Sequence, residues 1–418
     1  MATTLTTLFI CMLATTTIIR FWLGNRHVHF VQSHRNQVPS AFEANISLES
    51  HQKAADYSAD KTRLVIYEGI AQALLVLALT IGGGLQAIDT LWREILINHE
   101  IIRGALVIMT ALIVSSLVDI PFDYYKSFVI DQRFGFNKMT PVMFFSDMVK
   151  HAVVGLALGA PILFVALWLM QGAGDYWWFY LWVIWSVFNL LMLAIYPTFI
   201  APMFNKFSPL EDNSLKTRIE QLLIKCGFKS QGLFVMDGSS RSSHGNAYFT
   251  GFGSSKRVVF FDTLLARLDE DEIEAVLAHE LGHFKHKHVT KRIALMFFVS
   301  FLGLALLGWL KHQEWFYLGL GVTESSDYMA LMLFLLVSPV FLFVLKPLMA
   351  CYSRKNEFEA DEYAAKNSNA DNLIKALVKL YRDNASTLTP DPLHSAFYDS
   401  HPPASIRISK LAAFVNHH

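Results

Sequence analysis

Residues 176–200 read Tyr-Trp-Trp-Phe-Tyr-Leu-Trp-Val-Ile-Trp-Ser-Val-Phe-Asn-Leu-Leu-Met-Leu-Ala-Ile-Tyr-Pro-Thr-Phe-Ile, with no Asp, Glu, Lys or Arg. About 20 apolar residues suffice for a helix to cross the hydrocarbon layer of a bilayer. Trp177, Trp178, Trp182, Trp185 and Tyr196 suit the interfacial belts where amphipathic rings settle. Comparable runs lie near residues 5–23, 64–88, 101–122, 149–171, 291–310 and 329–351, giving seven in all. Gly82-Gly83-Gly84 and Pro161 interrupt two of them with breakers that neighbouring helices can absorb. The first run is long enough to span and lacks a small-residue cleavage site, so it is read as retained. Hydrophobic residues make up 53% of the chain and charged ones 17%, with thirty-three Phe and a mean hydropathy of +0.35. This composition fits a mainly α, polytopic membrane protein better than a soluble one with buried core helices.

Charge between the runs orients them. Arg26, Arg35, Lys53, Lys61 and Arg63 follow the first run, and Lys126, Arg133, Lys138 and Lys150 follow the third. The region 201–290 is rich in Lys and Arg, whereas the intervening loops carry little beyond Arg93, Arg103 and Lys311. The bias of cytoplasmic loops toward positive charge then puts the amino terminus outside and the carboxyl terminus in the cytoplasm. The domain boundaries read 1–200, 201–290, 291–351 and 352–418. The second and fourth segments share the cytoplasmic face, and the polar stretch 24–63 has no assignable role.

The second segment holds His279-Glu280-Leu281-Gly282-His283. On a helix, residues four apart share a face, so two imidazoles can reach one zinc ion while Glu280 stands beside it. Glu280 is placed to take a proton from a zinc-bound water, the chemistry of a metalloendopeptidase. Asp269, Glu270, Asp271 and Glu272 suit the start of this helix. Leu277, Leu281 and Phe284 mark its packing face. A further zinc-binding His is missing from the position just downstream where one protease class carries it, so the third ligand comes from elsewhere. His286 and His288, interleaved with Lys285 and Lys287, read as interfacial charge.

A second polar block, Ser353 to Ala365, has the composition of a helix leaving the last span. Glu357 and Asp361 fall four apart on one face, suited to a zinc ligand and a carboxylate that orients an imidazole. Glu359 competes for the ligand role.

The chain resembles the integral-membrane CAAX prenyl protease family along nearly its whole length. The resemblance is carried by Phe128-Val129-Ile130-Asp131 with Gly135-Phe136-Asn137, by Ile200 to Phe207, by Asn246-Ala247-Tyr248-Phe249, by the HELGH run, by Glu357 to Asp361, and by His401-Pro402-Pro403 with Arg407. It implies one zinc per chain on His279, His283 and Glu357, with Asp361 behind them. The implied fold is seven helices around a large intramembrane chamber, closed by a zincin-like domain with a small sheet.

Two further pieces acquire roles beside that resemblance. Val235-Met236-Asp237, Asn246 to Thr250 and Val258 to Phe261 read as short strands separated by Gly- and Ser-rich turns. An exposed edge there would take a peptide as an added strand, through Asn246, the Ala247 backbone and Tyr248. His401 and Arg407 would supply donors to the oxyanion.

The expected partners are a peptide or protein substrate, with or without a prenylated C-terminus, and the lipid bilayer. A net charge of zero gives no reason to invoke nucleic acid. Cys11, Cys226 and Cys351 are isolated and form no disulfide framework. A short 311–328 loop and an Asn416-His417-His418 ending favour a bacterial inner membrane over the endoplasmic reticulum of a eukaryote, and in a bacterium a quality-control protease without prenylated substrates is the alternative. A non-catalytic zinc-binding or transport protein is a third reading. Transport needs ionisable residues along the spans, and Glu68, Asp119 and Asp123 lie near span ends.

Overall fold

In the computed structural model, residues 1–228, 232–250 and 257–415 are described. The apolar runs become helices because a backbone in hydrocarbon must satisfy its own hydrogen bonds. Among the described residues seven helices are long and apolar enough to cross a membrane. The helices α1 (Ala2–Ser33) and α2 (Leu48–Leu79) form an antiparallel pair longer than the apolar runs that seeded them. The second run does not continue to residue 88 as expected. Gly83 takes φ 77° and caps a new helix, α3 (Gly84–Ile95), so the glycines end the span instead of being absorbed. Then come α4 (Glu100–Tyr125), α5 (Pro141–Gly172) and α6 (Trp177–Ile195), with Pro161 absorbed inside α5.

A soluble-type unit follows. It contains β1 (Phe207–Pro209), α7 (Ser214–Lys225), β2 (Leu233–Met236), β3 (Ala247–Thr250), β4 (Arg257–Phe261), α8 (Asp262–Leu265) and α9 (Glu270–Lys285). The sheet order is β1-β2-β4-β3, with β2 and β4 parallel and the other pairs antiparallel. β1 was not foreseen, since three residues ending in Pro carry too little pattern to read as a strand. Ile219, Phe260, Leu277, Leu281, Leu373 and Leu411 share this unit's core.

The chain then re-enters the apolar region through α10 (His288–Leu310), the short α11 (Glu314–Gly319) and α12 (Asp327–Leu342). A single tight turn at Phe343–Leu345, just before Pro347, joins α12 to α13 (Lys346–Asn367). The expected boundaries at 290 and 351 therefore fall inside helices α10 and α13. The chain ends with α14 (Ala370–Asp383), α15 (Pro392–Tyr398) and α16 (Ala404–Val415).

The stretch 24–63 is the helical turnover between α1 and α2, docked on the distal block. Val38, Phe42 and Ile46 are buried with Val378, Leu388 and Ala404, and Arg26 pairs with Asp391. Little of the spans is buried: none of the most apolar window of 174–203, and half of that of 327–367. Such low burial leaves their apolar faces free to meet lipid.

Candidate active site

The site is built where α9 meets α13, the helices that lead into and out of the α10–α12 hairpin. Asp269 caps α9 with a reciprocal pair, its side chain accepting from the Glu272 N–H and that of Glu272 from the Asp269 N–H. Leu277 and Leu281 are fully buried, which turns the His279, Glu280 and His283 sector toward α13.

His279 and His283 direct their Nε2 atoms to within 3.2 Å of each other. Glu357 Oε2 lies 3.5 Å from His279 Nε2, and Oε1 lies 3.4 Å from His283 Nε2. All three ligand atoms fall within 4.8 Å of one another. Asp361 accepts from His279 Nδ1 at 2.8 Å, which leaves the Nε2 lone pair aimed into the cluster. Glu357 Oε2 is buried without a hydrogen-bond partner. Two ring nitrogens and an unpartnered carboxylate oxygen converging on one point form a cation site, and two nitrogens with one oxygen suit zinc. Burial disfavours a charged His279, yet Asp361 and Glu357 raise its pKa to about 9, so the pocket favours positive charge at Nε2, whether a proton or a metal in its place. Burial pushes Glu280 above the ordinary carboxylate range, as befits a general base.

Glu359 does not join the cluster. It lies two residues from Glu357 on the helix and accepts instead from His288 Nε2 at 2.9 Å. His288 in turn meets His283 Nδ1 at 3.0 Å. The reading of His286 and His288 as interfacial charge is thus corrected for His288, which is 5% exposed. Lys287 takes a left-handed φ of 57° between α9 and α10 and folds the chain back, so His288 returns to the site. A histidine five positions after His283 was the available signal.

Arg407 is 5% exposed and grips Asp361, donating from Nε at 2.8 Å and Nη2 at 2.5 Å. Its Nη1 approaches Glu357 Oε2 at 3.8 Å, so it stands behind the ligands. His401 is different: its side chain is 61% exposed and its Nε2 is 3.4 Å from Glu357 Oε1. The strand β3 is one of the two sheet edges, and among the described residues nothing pairs with its outer side. Ala247 N–H is taken by the Asn246 side-chain oxygen at 2.8 Å. The Tyr248 ring lines a small cavity with Tyr196, Pro197 and Pro202, while Ala247 and Phe249 on the alternate face join the core around α9.

Comparison with known proteins identifies the family. Residues 27–206 match the CAAX prenyl protease N-terminal family, described by five membrane helices, and residues 209–415 match peptidase family M48. A CAAX prenyl protease 1 homolog from Caenorhabditis elegans is 34% identical over 97% of this chain and 98% of its own length. CAAX prenyl protease 1 of Saccharomyces cerevisiae is 40% identical over 71% of this chain and 69% of its own. The crystal structure of S. mikatae Ste24p superposes with a TM-score of 0.88 at 30% identity, covering 97% of this chain and 98% of that one. The chain belongs to peptidase family M48, as a multi-pass membrane metalloprotease of the CAAX prenyl protease type.

Proposed function

We propose that this protease holds one catalytic zinc on His279, His283 and Glu357 and cleaves C-terminally prenylated peptides or proteins from the cytoplasmic face of its membrane. The observation that carries the reading is the buried Glu357 carboxylate, with Oε2 lacking a hydrogen-bond partner and facing His279 Nε2, Oε1 facing His283 Nε2, and Glu280 beside both imidazoles on α9. Zinc, when bound, acidifies a water and polarises the scissile carbonyl.

The chain's own residues do the rest. Glu280 takes the proton of the attacking water and returns it to the leaving amine. His401, largely exposed beside the cluster, donates from Nε2 to the oxyanion as the carbonyl becomes tetrahedral. Arg407 keeps Asp361 ionised and in place, and through it the His279 ring. Its Nε and Nη2 are engaged there and its Nη1 faces Glu357, so the oxyanion role falls to the exposed His401. The peptide adds as a strand along β3, taking the Ala247 N–H from Asn246, whose amide then turns to the peptide. Tyr248 shapes the far side of that edge.

The prenyl preference rests on what the related proteases are named for, and the cytoplasmic orientation on the Lys and Arg bias. The short 311–328 segment supports a bacterial inner membrane. The relatives compared above are eukaryotic and lend that setting no support. The test is mass spectrometry of products from a farnesylated CAAX peptide, its unprenylated twin and an unfolded membrane protein. Preferential cleavage of the farnesylated peptide is expected. Equal cleavage of all three would replace it with the quality-control reading, and no cleavage by zinc-loaded protein would remove the catalytic one.

A further inference from the structure

Beside the catalytic cluster lies a second convergence of ligand-type atoms. His286, His288 and Glu359 each present one atom, all within 4.8 Å of one another. Glu359 Oε2 is 2.9 Å from His288 Nε2 and 3.9 Å from His286 Nδ1, so one carboxylate oxygen faces both nitrogens. The two rings are nearly parallel, 16° apart with centroids 5.6 Å apart, and stand on the same side of the chain. That requires the break at Lys287: in a continuous helix, residues two apart point to different faces, and the left-handed Lys287 removes that constraint.

We propose that His286, His288 and Glu359 form a second zinc site, separate from the catalytic one and more exchangeable. This rests on the reading that Glu357, and not Glu359, serves the catalytic zinc. Two imidazoles and a carboxylate suit zinc over magnesium or calcium, which take oxygen ligands. His288 is buried and preorganised, whereas the His286 side chain is 40% exposed, which gives the ion a path to solvent.

The two sites are linked through one hydrogen bond. With His283 Nε2 on the catalytic metal, its Nδ1–H donates to His288 Nδ1, which must accept. His288 can accept there while its Nε2–H donates to Glu359. A metal on Nε2 instead leaves the proton of a neutral His288 on Nδ1, where it faces the Nδ1–H of His283. Filling the second site therefore costs the catalytic ligand's hydrogen bond, which makes it the weaker of the two.

The test is zinc binding by the full-length purified protein, read by equilibrium dialysis with elemental analysis. The wild type is expected to take up two equivalents, one tight and one weaker. His286→Ala and Glu359→Gln should each lose the weaker equivalent and keep the tight one. His286 is the first choice because its side chain is 40% exposed and lies at the edge of the unit beside His288 and Tyr363, and Glu359→Gln is the near-isosteric control. Cobalt added to protein already holding its tight zinc should give visible d–d absorption in the wild type and none in His286→Ala. Saturation of the wild type at one equivalent, lost in Glu357→Ala, would overturn the second site alone. A tight equivalent lost in His286→Ala and kept in Glu357→Ala would overturn the second site and the catalytic assignment together.

Discussion

Gly282 lies directly against Ala360. A Cβ on Gly282 would sit 2.8 Å from the Ala360 Cα, 3.0 Å from its carbonyl oxygen and 3.0 Å from the Tyr363 Cβ. This close approach of α9 and α13 lets Glu357 reach His279 and His283, and Asp361 reach the back of His279. The glycine between the two motif histidines is thus a packing requirement of the His279, His283 and Glu357 cluster.

Gly282→Ala should therefore force the helices apart and loosen the ligand set. Overpacking against backbone costs about 1–3 kcal/mol. The expected outcome is a lower melting temperature together with reduced zinc content. Wild-type zinc retention in a normally stable variant would show that the contact does not set the site.

Removing a ligand and removing the base should separate cleanly. Glu357→Ala is expected to lose the tight zinc and all turnover, whereas Glu359→Ala keeps that zinc. Glu280→Gln should retain zinc and lose roughly 10²–10⁴-fold in rate, since only the proton acceptor is gone. Elemental analysis beside peptide cleavage reads both, and near-normal cleavage by Glu280→Gln would end the proposed mechanism.

Asp361 and Arg407 should act through His279, not on substrate. Asp361→Asn leaves the Arg407 guanidinium buried with its main partner neutralised, and weakens the hold on the ring. Zinc affinity is expected to fall by about 10–100-fold, measured by competition with a chelator. Loss of rate with unchanged affinity would favour a direct oxyanion role for Arg407.

Orientation can be read by labelling single cysteines in a background lacking Cys11, Cys226 and Cys351. Ser254 falls outside the described residues, and Asp391 is buried against Arg26, which makes it a poor reporter. Asp212, with its side chain 93% exposed, and the exposed Asp175 serve better. A membrane-impermeant thiol reagent applied to intact cells should label Asp175→Cys and spare Asp212→Cys. The opposite pattern would invert the topology.

The sequence by itself determined the features that arise from nearby residues. Seven apolar runs became seven span-length helices, because length and apolarity decide membrane crossing residue by residue. The HELGH spacing placed two imidazoles on one face of α9, because helical periodicity is local. Tertiary structure alone decided which carboxylate of α13 meets them. Glu357 and Glu359 differ by two positions, and the choice depends on the rotation of α13 against Gly282. It also decided that Lys287 turns His288 back toward His283, and that Arg407, 128 positions from His279, stands behind Asp361. Such contacts depend on how distant helices dock, and no local periodicity encodes that docking.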